Sequence, residues 1–120
     1  MEKTVEDYLE AILMIKEKKG NVRSVDIAEH MNIKKPSVTY ITKMLKEKGY
    51  IKMDETNLII LTEEGMEIAS ETLNRHRILT KVFTMLGVDE KTAMEDACRV
   101  EHDLSPKTYA AIEQHMKQYE

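Results

Sequence analysis

The chain has 120 residues, enough for one compact unit or two small lobes sharing a core. Its 42% apolar and 33% charged residues exclude a disordered polypeptide, and no apolar run approaches the roughly 18–20 residues that cross a bilayer. Cys98 is the single cysteine, which excludes an internal disulfide, and the start of the chain has no apolar leader block. A reducing cytoplasm is therefore the expected location.

The net charge of −4 hides a division. Residues 31–52 hold Lys34, Lys35, Lys43, Lys46, Lys48 and Lys52 against Glu47 alone, a local balance of +5. Residues 63–120 carry seven basic against twelve acidic side chains, a balance of −5. A basic segment on an acidic chain fits one face for a polyanion and another for cations, although solvated helix faces would carry the same charges.

In chain order, Val5, Tyr8, Leu9, Ile12 and Ile15 recur at three- and four-residue spacing and predict a first helix ending near Lys19-Gly20. Ser24 is the expected N-cap of a short second helix lined by Ile27, Ala28 and Met31, with Asp26 in its first turn. "NIKKP" reads as a turn, and Pro36 suits the first turn of a third helix that buries Val38, Ile41 and Leu45 and stops at Gly49. "YIKMDETNLIILT" predicts a two-stranded hairpin around an Asp-Glu-Thr-Asn turn. Thr62 caps a long helix with Ile68, Ala69, Leu73, Leu79, Phe83 and Leu86 on its apolar face, ending at Gly87. A shorter helix from about Asp89 reaches "CRVEHDLS". Ser105-Pro106 then opens a last helix with Tyr109, Ile112 and Met116 inward.

Three helices followed by a hairpin form the plan of a winged helix-turn-helix, so the expected fold is mainly α. An N-terminal DNA-binding domain covers residues 1–62 and a C-terminal helical domain covers 63–120. In such a module the third helix presents small polar and basic groups to base edges and phosphates. Here these are Ser37, Thr39, Tyr40 and Lys43. Lys34 and Lys35 flank the helix N-terminus, where free N–H groups also attract phosphate. Double-stranded DNA is the expected partner.

The C-terminal half offers different chemistry. At about 100° per residue, Cys98 projects between Glu101 and His102 one turn earlier, so thiol, carboxylate and imidazole can converge if the segment is close to helical. Asp7 and Glu10 share one edge of the first helix, and His76 occupies the apolar stripe between Leu73 and Leu79. Taken singly, each has an ordinary reading as a helix-dipole partner, a core histidine or a small buried cysteine. Together they mix oxygen, nitrogen and sulfur donors.

"VEDYLEAI", "SVDIAEHMNIKKPSVTYITKMLKEKGYI", "LIILT" with Gly65, "NRHRIL", "LGVDE" and "DACRVEHDLS" follow the order and spacing of the diphtheria-toxin-repressor / manganese-transport-regulator family. Across essentially its whole length the chain resembles these dimeric, metal-activated winged-helix repressors of metal-uptake genes. The resemblance implies that Asp7, Glu10, His76, Cys98, Glu101 and His102 are metal ligands and that the C-terminal domain dimerises. It implies a transcriptional regulator rather than an enzyme, with no membrane partner.

Two positions depart from the family pattern. The manganese branch usually has Glu where this chain has Cys98, and the iron branch has Met where it has Asp7. The end at Glu120 resembles the short, manganese-type members in length. Carboxylates suit Mn(II) and Fe(II), whereas imidazole and thiolate lean toward Fe, Co and Zn. The expected ion is Mn(II) or Fe(II), with Co(II) or Zn(II) also taken up in vitro, and six ligands would suffice for a two-metal cluster. Competing readings are a winged-helix repressor that responds to a small organic ligand or to Cys98 oxidation, and an iron enzyme using His76, His102 and Glu101.

Overall fold

The computed structural model describes residues 3–119. Its elements, in order, are α1 (Lys3–Lys19), α2 (Ser24–Met31), α3 (Lys35–Glu47), β1 (Ile51–Met53), β2 (Ile59–Leu61), α4 (Glu63–Met85), α5 (Glu90–Val100), α6 (Pro106–Met116) and a closing 3₁₀ turn, Lys117–Tyr119. The chain divides into two compact units, Met1–Glu71 and Thr72–Glu120, with the boundary inside α4. No described helix is long and apolar enough to cross a membrane.

Unit 1 is the winged helix-turn-helix expected from the sequence. Val5, Leu9, Ile12 and Ile15 of α1 are buried, and Gly20 ends the helix with a φ of +85° that an L side chain would resist. Helix α2 corrects one expectation. Its N-cap is Arg23 rather than Ser24, because Asp26 reaches back and accepts the Arg23 backbone N–H at 2.9 Å. The Asp26 carboxylate also accepts from Lys19 Nζ at 2.9 Å, tying α2 to the end of α1. Asn32, at φ +54°, makes the left-handed turn that leads toward α3.

Helix α3 buries Val38, Ile41, Thr42 and Leu45, and Gly49 follows its end at φ +81°. Val38 and Leu45 have no exposed surface. Each contributes about 1.5–3 kcal/mol by leaving water, which locks the helix in position. Strands β1 and β2 pair antiparallel, with Ile51 opposite Leu61 and Met53 opposite Ile59. Their turn is organised by one carboxylate: Asp54 Oδ1 accepts from Thr56 N, Thr56 Oγ1 and Leu58 N at 2.8–2.9 Å. Ile59 N donates to Val22 O at 2.8 Å, which fastens β2 to the segment before α2.

The end of the hairpin explains why glycine stands at position 65. Thr62 Oγ1 donates to Gly49 O at 2.7 Å and accepts the Gly65 N–H at 3.1 Å, capping α4. This draws the first turn of α4 so close to Tyr50 that an added Cβ at Gly65 would collide with the Tyr50 carbonyl.

In unit 2, Leu73, Leu79, Ala93, Ala97, Tyr109 and Met116 are buried. Asp89 caps α5 by accepting Thr92 N at 3.0 Å, and Ser105 caps α6 by accepting Thr108 N at 3.1 Å. Leu86 departs from the expected apolar face of the long helix. Helix α4 stops at Met85, and Leu86 is 76% exposed in the turn before Gly87.

Candidate metal centre and nucleic-acid interface

The metal candidates of unit 2 come from α4 and from the end of α5. His76 lies three residues after buried Leu73 and three before buried Leu79, so its helix carries the imidazole inward and leaves 12% of the side chain exposed. Cys98 lies in the last turn of α5. Glu101 is the residue that ends it, still in right-handed helical conformation, and His102 follows in a turn. The near-helical path that convergence required is therefore present.

Glu101 occupies the centre of the cluster. Its carboxylate is fully enclosed, with the residue 1% exposed. His76 Nδ1 lies 3.1 Å from Oε2, and His102 Nε2 lies 3.3 Å from Oε1. The Cys98 sulfur is within 4.8 Å of a Glu101 carboxylate oxygen. Among the described residues, Oε1 is a buried oxygen that accepts no hydrogen bond, although the His102 nitrogen is within ion-pair reach. A buried carboxylate with an unfilled lone pair is costly by several kcal/mol unless something compensates it. Two imidazole nitrogens, one facing each oxygen of that carboxylate, and a nearby thiol are donor types suited to a divalent first-row metal. The residues present fit such an ion.

Asp7 and Glu10 belong to unit 1 and stand one turn apart on α1. Asp7 is half-buried and Glu10 only 7% exposed, on a helix whose other buried positions are apolar or aromatic. Burial, reinforced by the negative charge of Asp7, holds the neighbouring Tyr8 phenol above its ordinary value.

Sequence reasoning missed the frame around Glu101. Arg75 Nη1 donates to the carbonyl oxygens of Glu101 and Leu104, each at 3.3 Å, and its guanidinium lies 4.8 Å from the centre of the Tyr109 ring. Asn74 Nδ2 donates to Tyr109 Oη at 2.8 Å and to Glu113 Oε2 at 3.3 Å. No local signal marked them, since a polar run such as Asn74-Arg75-His76 is ordinary on an amphipathic helix and the partners are 26 to 39 residues away.

The other candidate surface is the outer side of α3. Ser37, Thr39, Tyr40 and Lys43 are exposed, Tyr40 at 72%, and Lys34 and Lys35 are exposed at the helix start. The Thr39 hydroxyl donates to Lys35 O at 3.1 Å, leaving its oxygen lone pairs outward as acceptors. The arrangement sets a tyrosine ring, hydroxyls and lysines on one face with a packed apolar face behind it, as a groove-reading helix requires.

Comparison with known proteins assigns a family to each half of the chain. Residues 1–57 match the family described as iron dependent repressor, N-terminal DNA binding domain. Residues 62–120 match the iron dependent repressor, metal binding and dimerisation domain. An uncharacterized HTH-type transcriptional regulator of Methanocaldococcus jannaschii is 38% identical over 99% of this chain and 97% of its own length. The HTH-type transcriptional regulator MntR of Bacillus subtilis is 34% identical over 85% of this chain and 72% of its own. Among solved structures, a manganese-dependent transcriptional repressor in complex with manganese superposes with a TM-score of 0.83 at 24% identity over 94% of this chain. IdeR of T. acidophilum superposes with a TM-score of 0.78, also at 24% identity, over 95%. The chain spans about half the length of these solved structures, 52% and 53%, and at that identity they establish the fold alone.

Proposed function

We propose, from the premise that this chain belongs to the iron-dependent repressor family and is a metal-dependent DNA-binding transcriptional regulator, that it is a cytoplasmic homodimer repressing metal-uptake genes when Mn(II) or Fe(II) is bound. Residues 1–62 read operator DNA, and residues 63–120 bind the ion and dimerise. The observation that carries the metal half of this reading is the enclosed Glu101 carboxylate, faced by His76 and His102 with Cys98 nearby.

Asp7 and Glu10 complete the ligand set, adding oxygen donors from α1. As ligands, Asp7, Glu10 and Glu101 would bring three carboxylates to the ion. A bound dication supplies the positive charge that offsets them and favours the deprotonated thiol and neutral imidazoles. Three carboxylates weight the set toward Mn(II) and Fe(II), while Cys98 and two imidazoles admit Co(II) and Zn(II). The six side chains would also suffice to hold a second ion.

On the DNA side, Tyr40, Ser37 and Thr39 meet base edges, while Lys34, Lys35 and Lys43 meet phosphates. In a dimer, two such helices enter successive major grooves about 34 Å apart, and the liganded state is the one whose spacing fits. Linkage then requires operator DNA to tighten metal binding by the same factor.

The test is a DNA-binding titration at fixed ionic strength, with and without Mn(II), Fe(II), Co(II) and Zn(II). Mn(II) or Fe(II) should tighten binding at least tenfold. A Lys43→Ala/Tyr40→Ala chain should bind more weakly, and loss of Lys43 alone should lower the slope of log affinity against log salt by about 1. Equal affinity with and without every ion would overturn the reading.

A further inference from the structure

The segment that carries Glu101 and His102 is not regular helix, because α5 ends at Val100 and residues 101–104 form turns and a bend. Such a segment makes few internal hydrogen bonds, so contacts from elsewhere must set its conformation. Arg75 supplies them at both ends. Its Nη1 reaches the carbonyl oxygens of the first and last residues of the turn, Glu101 and Leu104. Its guanidinium rests over the buried Tyr109 ring of α6, whose hydroxyl is held by Asn74. One side chain of α4 thereby pins the turn, and the next residue along α4, His76, contacts the Glu101 carboxylate.

We propose that Arg75 is a positioning residue for metal binding. By fixing both ends of the 101–104 turn, it sets the directions of the Glu101 carboxylate and the His102 imidazole before an ion arrives. The inference rests on the reading of Glu101 and His102 as ligands and adds a residue that touches no ion. Arginine suits the task because a planar guanidinium can donate to two carbonyls while stacking on a ring, whereas lysine offers only a point charge. Outer groups that orient ligands commonly change metal affinity by about 10–100-fold.

The experiment titrates the full chain with Co(II), following the visible absorption of the bound ion, and measures amide exchange of the metal-free protein. Arg75→Gln should weaken binding by about 10–100-fold, change the shape of the Co(II) band and speed exchange at residues 101–104. Arg75→Lys should recover part of the affinity, and Tyr109→Leu should weaken binding in the same direction. Lys91→Gln, at an exposed position of α5, should leave all three readouts unchanged. Wild-type affinity and band shape in a folded Arg75→Gln chain overturn the proposal. If that chain does not fold, unchanged affinity and band shape in both Arg75→Lys and Tyr109→Leu overturn it instead. Glu101→Ala separates the two levels: intact metal binding there defeats the ligand assignment, while loss there with normal binding in Arg75→Gln defeats only the role of Arg75.

Discussion

The largest fully buried side chains of unit 1 include Leu9, Ile12, Ile27, Leu45 and Ile51, whereas those of unit 2 are Leu79 and Glu101. Unit 1 keeps most of its charge outside, with Glu10 of α1 the buried charged residue among those described. Its ion pair, its Asx turn and its reading face all lie at the surface, around an interior that is mostly aliphatic. Unit 2 does the opposite, enclosing a carboxylate with two imidazoles and bracing the adjoining turn with a guanidinium over a buried phenol. An aliphatic interior holds one shape whatever the solution contains. An interior built of coordinating groups is held more or less firmly according to what is bound. The rigid reader and the responsive half are thus distinguished by what each buries.

The sharpest way to break this contrast is in the core of unit 1. Leu45→Ala should cost about 2–5 kcal/mol of stability, read as a lower denaturation midpoint, with or without metal. A loss below about 1 kcal/mol would mean the unit 1 interior is not the packed scaffold described.

An intermediate effect is expected in unit 2. In metal-free protein Glu101→Gln should change stability by less than about 1 kcal/mol, since it removes a buried charge along with its partners' attraction. Wild-type protein should gain about 2.7 kcal/mol when metal is present at a hundred times its dissociation constant, and the variant should lose most of that gain. Calorimetry with and without Mn(II) checks both. An equal metal response in the two proteins would remove the distinction between the halves.

The smallest effect belongs to the surface of unit 1. Hydrogen bonds from Lys19 and the Arg23 backbone hold the Asp26 carboxyl below its ordinary 3.8. A folded-state value below the unfolded one stabilises the protein above the unfolded value, and this is lost as pH falls through the folded one. Asp26→Asn should therefore lower Tm slightly at neutral pH, and the difference should fade as pH falls through the lowered folded-state value. A difference independent of pH would show that the carboxylate charge plays no part.

Much of the reading half was legible because its signals are local. The spacing of Val38, Ile41 and Leu45, the Pro36 start and the glycine stops are properties of single helices. The N-cap of α2 was misplaced by one residue because Asp26, reaching back to the Arg23 N–H, competes with the serine beside it. In the other half, the residue types around Glu101 could be picked out, since Cys98 and His102 lie within a turn of it and His76 interrupts an apolar stripe. Arg75 and Asn74 could not. Their partners are 26 to 39 residues away, and nothing local distinguishes an arginine that braces a turn from one in solvent. The exposure of Leu86 was hidden for a related reason, because periodicity continues past the point where the helix stops.

The contact between Arg23 Nη1 and Thr56 O, 2.6 Å long, has its own consequence. It joins the tip of the β1–β2 hairpin to the residue that caps α2, alongside the Ile59–Val22 hydrogen bond at the hairpin's far strand. A hairpin fastened at both places would have little freedom left to surrender on meeting a partner, so docking through it would be nearly a rigid-body event.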